Sequence, residues 1–178
     1  MKMAEQSMSN ENPMRRIRVE KVVLNIGVGE GGDRLEKASK VLERITRRKI
    51  SRTQAKKSIR EFGVRKGEEI GCMVTLRGKE AEDFLVRAFA AVGNSLPAKS
   101  FDIYGNVSFG IKEYIYIPGT KYDPELGIFG LNVSIRLARP GIRVRYRSDG
   151  RSQIPKSHLV SPKEGVEFLR QKFGIKVA

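Results

Sequence analysis

Three stretches of this sequence alternate residue by residue between two kinds of side chain, and that period of two constrains the fold most. In Val19–Val28, the residues Val22, Leu24, Ile26 and Val28 share one face, and Lys21, Val23, Asn25 and Gly27 share the other. In Ile70–Gly78, the residues Ile70, Cys72, Val74 and Leu76 oppose Met73, Thr75 and Arg77. In the third stretch Leu131, Val133, Ile135 and Leu137 alternate with Asn132, Ser134 and Arg136. Successive side chains on a strand point to opposite faces, so each stretch predicts a half-buried strand with one wet side.

Helical spacing separates these strands. After the glycine-rich stretch 27–32, Leu35, Ala38, Leu42 and Ile45 recur on one face. Asp33 fits an N-cap with Glu36 in the capping-box position, and the helix is expected to run to about Arg48. A second amphipathic helix spans Lys79–Val92, with Phe84, Leu85, Ala88, Phe89 and Val92 inward. Ser161-Pro162-Lys163-Glu164 is a strong helix start, Val166, Leu169 and Phe173 form its buried stripe, and Gly174 stops it. Phe101–Ile117 predicts two short strands about a Gly105-Asn106 turn, and Phe62–Glu69 a mobile loop or hairpin tip. Helices and strands mix without strict βαβα alternation. The expectation is an α+β open sandwich: a mainly antiparallel sheet, helices on one face, and a free polar face suited to RNA. Residues 13–178 read as a single domain. Residues 1–12 are polar, lack the apolar region of a secretory signal, and read as a disordered tail.

Charge says what the free face is for. The chain carries 35 Lys plus Arg against 20 Asp plus Glu, a net charge of +15. A chain so charged repels itself and is suited to a polyanion. Arg44–Arg60 holds eight basic residues and no acidic one, and Arg136–Arg151 six arginines against one aspartate. Arginine makes bidentate phosphate contacts and stacks on bases, which favours nucleic acid over mere solubility. The phosphate contacts expected from these runs are Arg47, Arg48, Lys49, Arg52, Lys56, Lys57, Arg143, Arg145 and Arg147. The free sheet face adds Lys21, Asn25, Thr75 and Arg77. A wet sheet suits an irregular RNA surface, and no helix-turn-helix or zinc-finger pattern is present, so no DNA partner is expected. No run of 18 apolar residues occurs, so no transmembrane helix is expected; as a polyanion, nucleic acid ranks first and an anionic membrane surface second, so no membrane partner is expected.

Gly27-x-Gly29-x-x-Gly32 matches the spacing of a dinucleotide fingerprint between a strand and a helix. The segment after the helix is basic and polar, however, not a second buried strand. The position about twenty residues on is Arg52, where that fingerprint has an acid. The plain reading is a tight strand-to-helix turn; another is a close backbone approach to an RNA phosphate or sugar. With one histidine, His158, and one cysteine, Cys72, general-base chemistry and metal ligation both lack parts. Cys72 reads as core packing, and the lone thiol fits a cytosolic setting. No metal, cofactor or catalytic residue is expected. Two other classes stay open on residues alone: a nucleotide-dependent enzyme, and a nucleic-acid binder without sequence preference.

Longer strings narrow the choice. Val19–Glu30, VEKVVLNIGVGE, resembles the opening strand of the ribosomal L-five family, the large-subunit protein that binds 5S rRNA. Ile70–Gly78, IGCMVTLRG, resembles its second signature. Lys99–Asp102, Gly105-Asn106 and Ile115–Pro118 resemble its third. The resemblance covers the chain from about Pro13 onward. It implies an open α+β sandwich in the central protuberance of a cytoplasmic ribosome, with no enzymatic activity. Its implied partners are 5S rRNA, large-subunit rRNA, peptidyl-site tRNA and neighbouring ribosomal proteins. By position, the family's RNA contacts fall on Lys21, Asn25, Gln54 and Thr75, three of which the alternation already placed on the free face. The tRNA loop falls on Phe62–Ile70, with Val64, Arg65, Lys66 and Gly67 at its tip. Bacterial-type members have Gly and Pro around the glutamine, where this chain has Arg52-Thr53-Gln54-Ala55, and they lack Arg139–Leu159. That stretch resembles the archaeal and eukaryotic branch and is expected to touch rRNA or a neighbouring protein.

Overall fold

The three alternating stretches pair with one another. β1 (Arg18–Gly27) is flanked on both sides by antiparallel neighbours, β3 (Glu69–Leu76) and β6 (Leu131–Ala138). β2 (Ser51–Gln54) adds to the outer side of β3, and β5 (Val107–Ile111) to the outer side of β6. The sheet order is therefore β2-β3-β1-β6-β5, antiparallel throughout. The computed structural model describes residues 12–177; the expected tail lies outside these but for Asn12.

The apolar face of the sheet is covered by α1 (Asp33–Thr46) and α2 (Lys79–Ala91), and α3 (Pro162–Phe173) joins the same core through Leu169 and Phe173. Val22, Leu24 and Ile26 of β1, Cys72, Val74 and Leu76 of β3, and Val133, Ile135 and Leu137 of β6 all lie buried against Leu35, Leu42, Phe84 and Leu85. Phe89 joins three elements: its ring lies 5.4 Å from Phe109 of β5 and 5.4 Å from Phe173 of α3. Short parallel strands β4 (Ser95–Leu96) and β7 (Lys176–Val177) tie the segment after α2 to the segment after α3.

The α+β open sandwich matches the expectation, with local corrections. Asp33 does not cap α1. Gly32 takes that place at φ 83°, and its carbonyl accepts from Leu35 and Glu36 N–H, so no capping box forms. The helix stops at Thr46 because Arg47 turns left-handed at φ 53°. Phe101–Ile117 forms one strand and an isolated Phe101–Val107 bridge in place of two strands, since Asp102 accepts from Tyr104, Gly105 and Asn106 N–H and curls 102–106 into a turn. The thin apolar content of the first basic run nevertheless yields β2, an edge strand. α3 has the cap its sequence promises: Ser161 Oγ accepts from Glu164 N–H, Glu164 accepts from Ser161 N–H, and Gly174 ends the helix.

One helix position is sterically closed. A Cβ on Gly165 would lie 2.8 Å from the carbonyl oxygen of Gly105 and 3.1 Å from its Cα. Backbone meets backbone there, so nothing flexible can yield. Gly165→Ala is expected to lower stability by about 1–3 kcal/mol, outweighing the gain in helix propensity of roughly 1 kcal/mol. The readout is a lower urea midpoint at unchanged slope.

Candidate nucleic-acid interface

Register assembles the face opposite the helices. Across the sheet, Ser51, Met73, Asn25, Asn132 and Gly110 stand in one row. Thr75, Val23, Ser134 and Ser108 stand in the next, and Lys21 lies opposite Arg136. Neighbouring strands are about 4.8 Å apart, so these side chains form a patch in which hydroxyls, amides and cations surround the apolar Met73 and Val23. Asn25 and Thr75 are exposed; Lys21 is half-buried. Arg77 follows β3 on the same side by alternation and is exposed. Thr53 reaches the face too, its Oγ1 within 2.8 Å of where a Cβ on Gly71 would sit. Aromatic rings are missing from the described rows. Such a patch hydrogen-bonds sugars and base edges along a groove and does not stack on bases.

Gln54 is placed differently from the other three carried-over contacts. It is exposed at the end of the edge strand β2, paired with Glu69 beyond a shift in register. It borders the face beside the β2–β3 connection. That connection, residues 55–68, is a folded arm. Ala55 N–H donates to Glu68 O at 2.8 Å, and Ile59 and Val64 bridge each other at 2.9 and 3.1 Å. The apex is Arg60–Gly63, where Gly63 adopts φ 66°. Val64, Arg65, Lys66 and Gly67, expected at the tip, instead lie on the returning limb, because the Ile59–Val64 bridge closes the turn before them. Phe62 occupies the apex, 73% exposed. A bare aromatic in a basic segment was the signal for it in the sequence.

The arginines divide by partner. Arg44 pairs with Asp123 at 2.9 Å, Arg48 holds Glu80 through two bonds of 2.6 and 2.9 Å, and Arg52 meets Glu69 at 2.9 Å. The first basic run is thus partly neutralised by carboxylates distant in sequence, which its composition could not show. The hydrogen bond from Arg48 holds the Glu80 carboxyl below its usual range, and that from Arg44 does the same for Asp123. Ion pairs this open to water contribute little, so Arg48 can exchange its carboxylate for a phosphate at small cost. Lys49, Lys56 and Lys57 are exposed. Arg47 caps α1 with its backbone, and Arg147 donates to Gly150 O at 2.7 Å. Arg143 and Arg145 lie exposed in a short turn, Ile142–Arg145. Arg136 is fixed on three sides: Nε meets Glu20 at 2.8 Å, Nη2 donates to Tyr146 Oη at 2.6 Å, and the guanidinium lies 5.3 Å from the Tyr146 ring centre.

Arg139 serves the fold. It donates to Ser157 O at 3.2 Å and to Glu164 Oε1 at 2.7 Å, clamping 139–159 onto the start of α3. His158 contacts Pro140 O at 2.9 Å in the same segment. The Glu164 carboxyl is held below its ordinary value of 4.5 first by Ser161 N–H, then by the Ser161 hydroxyl and Arg139. A depressed folded value stabilises the chain above the ordinary value, and that contribution is lost as pH falls through the folded one. Glu164→Gln is therefore expected to be less stable than wild type at pH 7, with the gap closing as pH drops below 4.5. Urea titrations from neutral to acid pH measure it; a gap that ignores pH contradicts the assignment.

The glycine turn after β1 does not sit in a dinucleotide-binding unit, since both neighbours of β1 run antiparallel to it. Glu30, Glu36, Glu68 and Glu69 line the hollow beside that turn against one cation, Arg52, which Glu69 already holds, and this excess of carboxylates would repel a pyrophosphate.

Comparison with known proteins agrees with this geometry. Residues 12–65 match the family model described as ribosomal protein L5, and residues 69–168 match the model for the C-terminus of the same ribosomal family. A protein of Sulfurisphaera tokodaii named large ribosomal subunit protein uL5 is 58% identical over 93% of this chain and 94% of its own length. Those of the same name from Nitrosopumilus maritimus and Methanococcus vannielii are 48% and 47% identical, covering 97% and 98% of this chain and 99% and 98% of their own. The chain belongs to the ribosomal protein L5 family, in its archaeal-type form.

Proposed function

We propose that the chain is a structural, non-enzymatic constituent of the large ribosomal subunit that lays its open sheet face on 5S rRNA. Family membership supports the ribosomal role. The observation that carries the RNA reading is the patch around Asn25: Asn132, Thr75, Ser134 and Ser108 stand near it with only Met73 and Val23 apolar between them, bordered by Lys21, Arg136 and Arg77, on the face the helices leave uncovered. Lysine and arginine supply the affinity by neutralising phosphates; Asn25, Thr75 and, at the edge, Gln54 supply directional hydrogen bonds. The arm at 55–68, with Arg65 and Lys66 exposed, reaches peptidyl-site tRNA. Arg143, Arg145 and Arg147 meet large-subunit rRNA or a neighbouring protein of the central protuberance. No covalent chemistry is involved. Ribose probing of 5S rRNA with and without the chain tests the proposal. One compact protected tract is expected; protection spread evenly along the RNA would contradict it.

A further inference from the structure

The segment 139–159 does not simply extend from the sheet. It turns back along β5 and β6, and between it and the open face lies a groove of about 1100 Å³. Lys21, Ser108, Ser134 and Arg136 of the sheet form one side, and Arg145, Arg151 and Lys156 of the segment are among the residues that form the other. Lys21, Arg145, Arg151 and Lys156 have no carboxylate partner among the described residues. Asp102 also lines the groove, but its carboxylate is occupied, accepting from Tyr104 N–H, Asn106 N–H and Asn106 Nδ2, each at 2.8 Å.

Those bonds fix the turn that carries Tyr104. Gly105, at φ 67°, is pressed so close to the start of α3 that a Cβ would lie 2.8 Å from Ser161 O, and Leu137 N–H donates to Asn106 Oδ1 at 3.3 Å. Tyr104 is thus a ring on a rigid mount, half in water at 50% exposure, and it lines a groove whose unpaired groups are cationic. The polar rows themselves carry no ring, and the exposed ring beside them, Tyr146, already lies on the Arg136 guanidinium, so Tyr104 is where the open face can stack a base.

We propose that this groove accepts one unpaired nucleotide of the bound RNA, its base stacked on Tyr104 and its phosphate neutralised by the groove's unpaired cations. A paired base is already stacked within its helix and cannot reach a ring, whereas an unpaired one can be splayed out onto an aromatic side chain. The paired hydroxyls of Ser108 and Ser134, 2.8 Å apart, lie within the same groove and suit a ribose. Because Lys21, Ser134 and Arg136 belong to both the groove and the rows, one RNA can occupy both. The inference rests on the sheet-face reading above and adds the class of RNA element recognised: an unpaired nucleotide beside a helix.

The test is a titration of the full chain with 5S rRNA and with a fully paired RNA duplex. Tyr104→Ala is expected to weaken 5S rRNA binding by roughly ten- to a hundredfold, the size of one lost stacking contact, with duplex binding unchanged. Tyr104→Phe, which keeps the ring, is expected to bind as wild type does. Unfolding curves check that both variants fold. Unchanged 5S rRNA affinity in Tyr104→Ala overturns the inference while the sheet-face reading stands, and so does equal weakening on both RNAs. A wild-type chain with no preference for 5S rRNA would overturn the underlying reading and this inference with it.

Discussion

Asn25→Leu combined with Thr75→Leu is expected to cost at least about thirtyfold in 5S rRNA affinity while the chain stays folded. Asn25 sits at the centre of the sheet, between Met73 and Asn132, and Thr75 stands diagonally across from it, opposite Val23. Both are exposed, so the substitutions remove nothing from the core, and surface changes of this kind usually shift stability by less than about 0.5 kcal/mol. The loss appears only in the complex. A donor or acceptor of the RNA left buried without a partner costs about 1–3 kcal/mol, and two such sites give roughly thirtyfold or more. Leucine also thickens the face where the RNA must approach. Unfolding curves matched to wild type, with binding weakened, are the expected pair of results. Unchanged binding in the folded variant would remove the face from the interface.

Phe89→Ala is expected to do the reverse. Phe89 is 1% exposed, and its ring touches Phe109 of β5 and Phe173 of α3. Truncating a buried phenylalanine costs about 3–5 kcal/mol, a large share of the roughly 5–15 kcal/mol that holds a domain together. The melting temperature is expected to fall on the order of 10 °C. Because α3 also carries the clamp between Glu164 and Arg139, loosening it frees the segment that walls the groove. Binding at low temperature, where the variant is still folded, is expected to suffer less than stability does. A loss of stability below about 1 kcal/mol would mean that the three aromatic rings do not tie the layers together.

The sheet and its two faces were legible in the sequence because alternation is a local property. Lys21, Asn25 and Thr75 could be assigned to the free face from Val22, Leu24 and Val74 alone. The same alternation puts Asn132 and Ser134 of β6 on the wet side, and the register adds Ser108 of β5 beside them. What could not be read were contacts across long stretches of chain. Asp123 lies 79 residues from Arg44, and Glu80 lies 32 from Arg48, so the basic run looked bare when it is partly paired. Asp33 and Glu36 fit a capping box in spacing, but the positive φ of Gly32 moves the start of α1 by one residue. The arm's apex falls before Val64 because the Ile59–Val64 bridge joins residues whose pairing has no period to reveal it. The groove needed the fold of 139–159, and that is set by Arg139 reaching Ser157 and Glu164.

A competition titration puts the central claim most directly at risk. Labelled 5S rRNA is bound to the wild-type chain at about 0.15 M salt, where exposed charges are screened beyond ~8 Å, and bulk tRNA and duplex DNA are added in excess. If a shaped face reads the RNA, 5S rRNA stays bound through a large excess of either competitor. If the charge of +15 acts alone, every polyanion displaces it equally, and the chain is a nucleic-acid binder without preference.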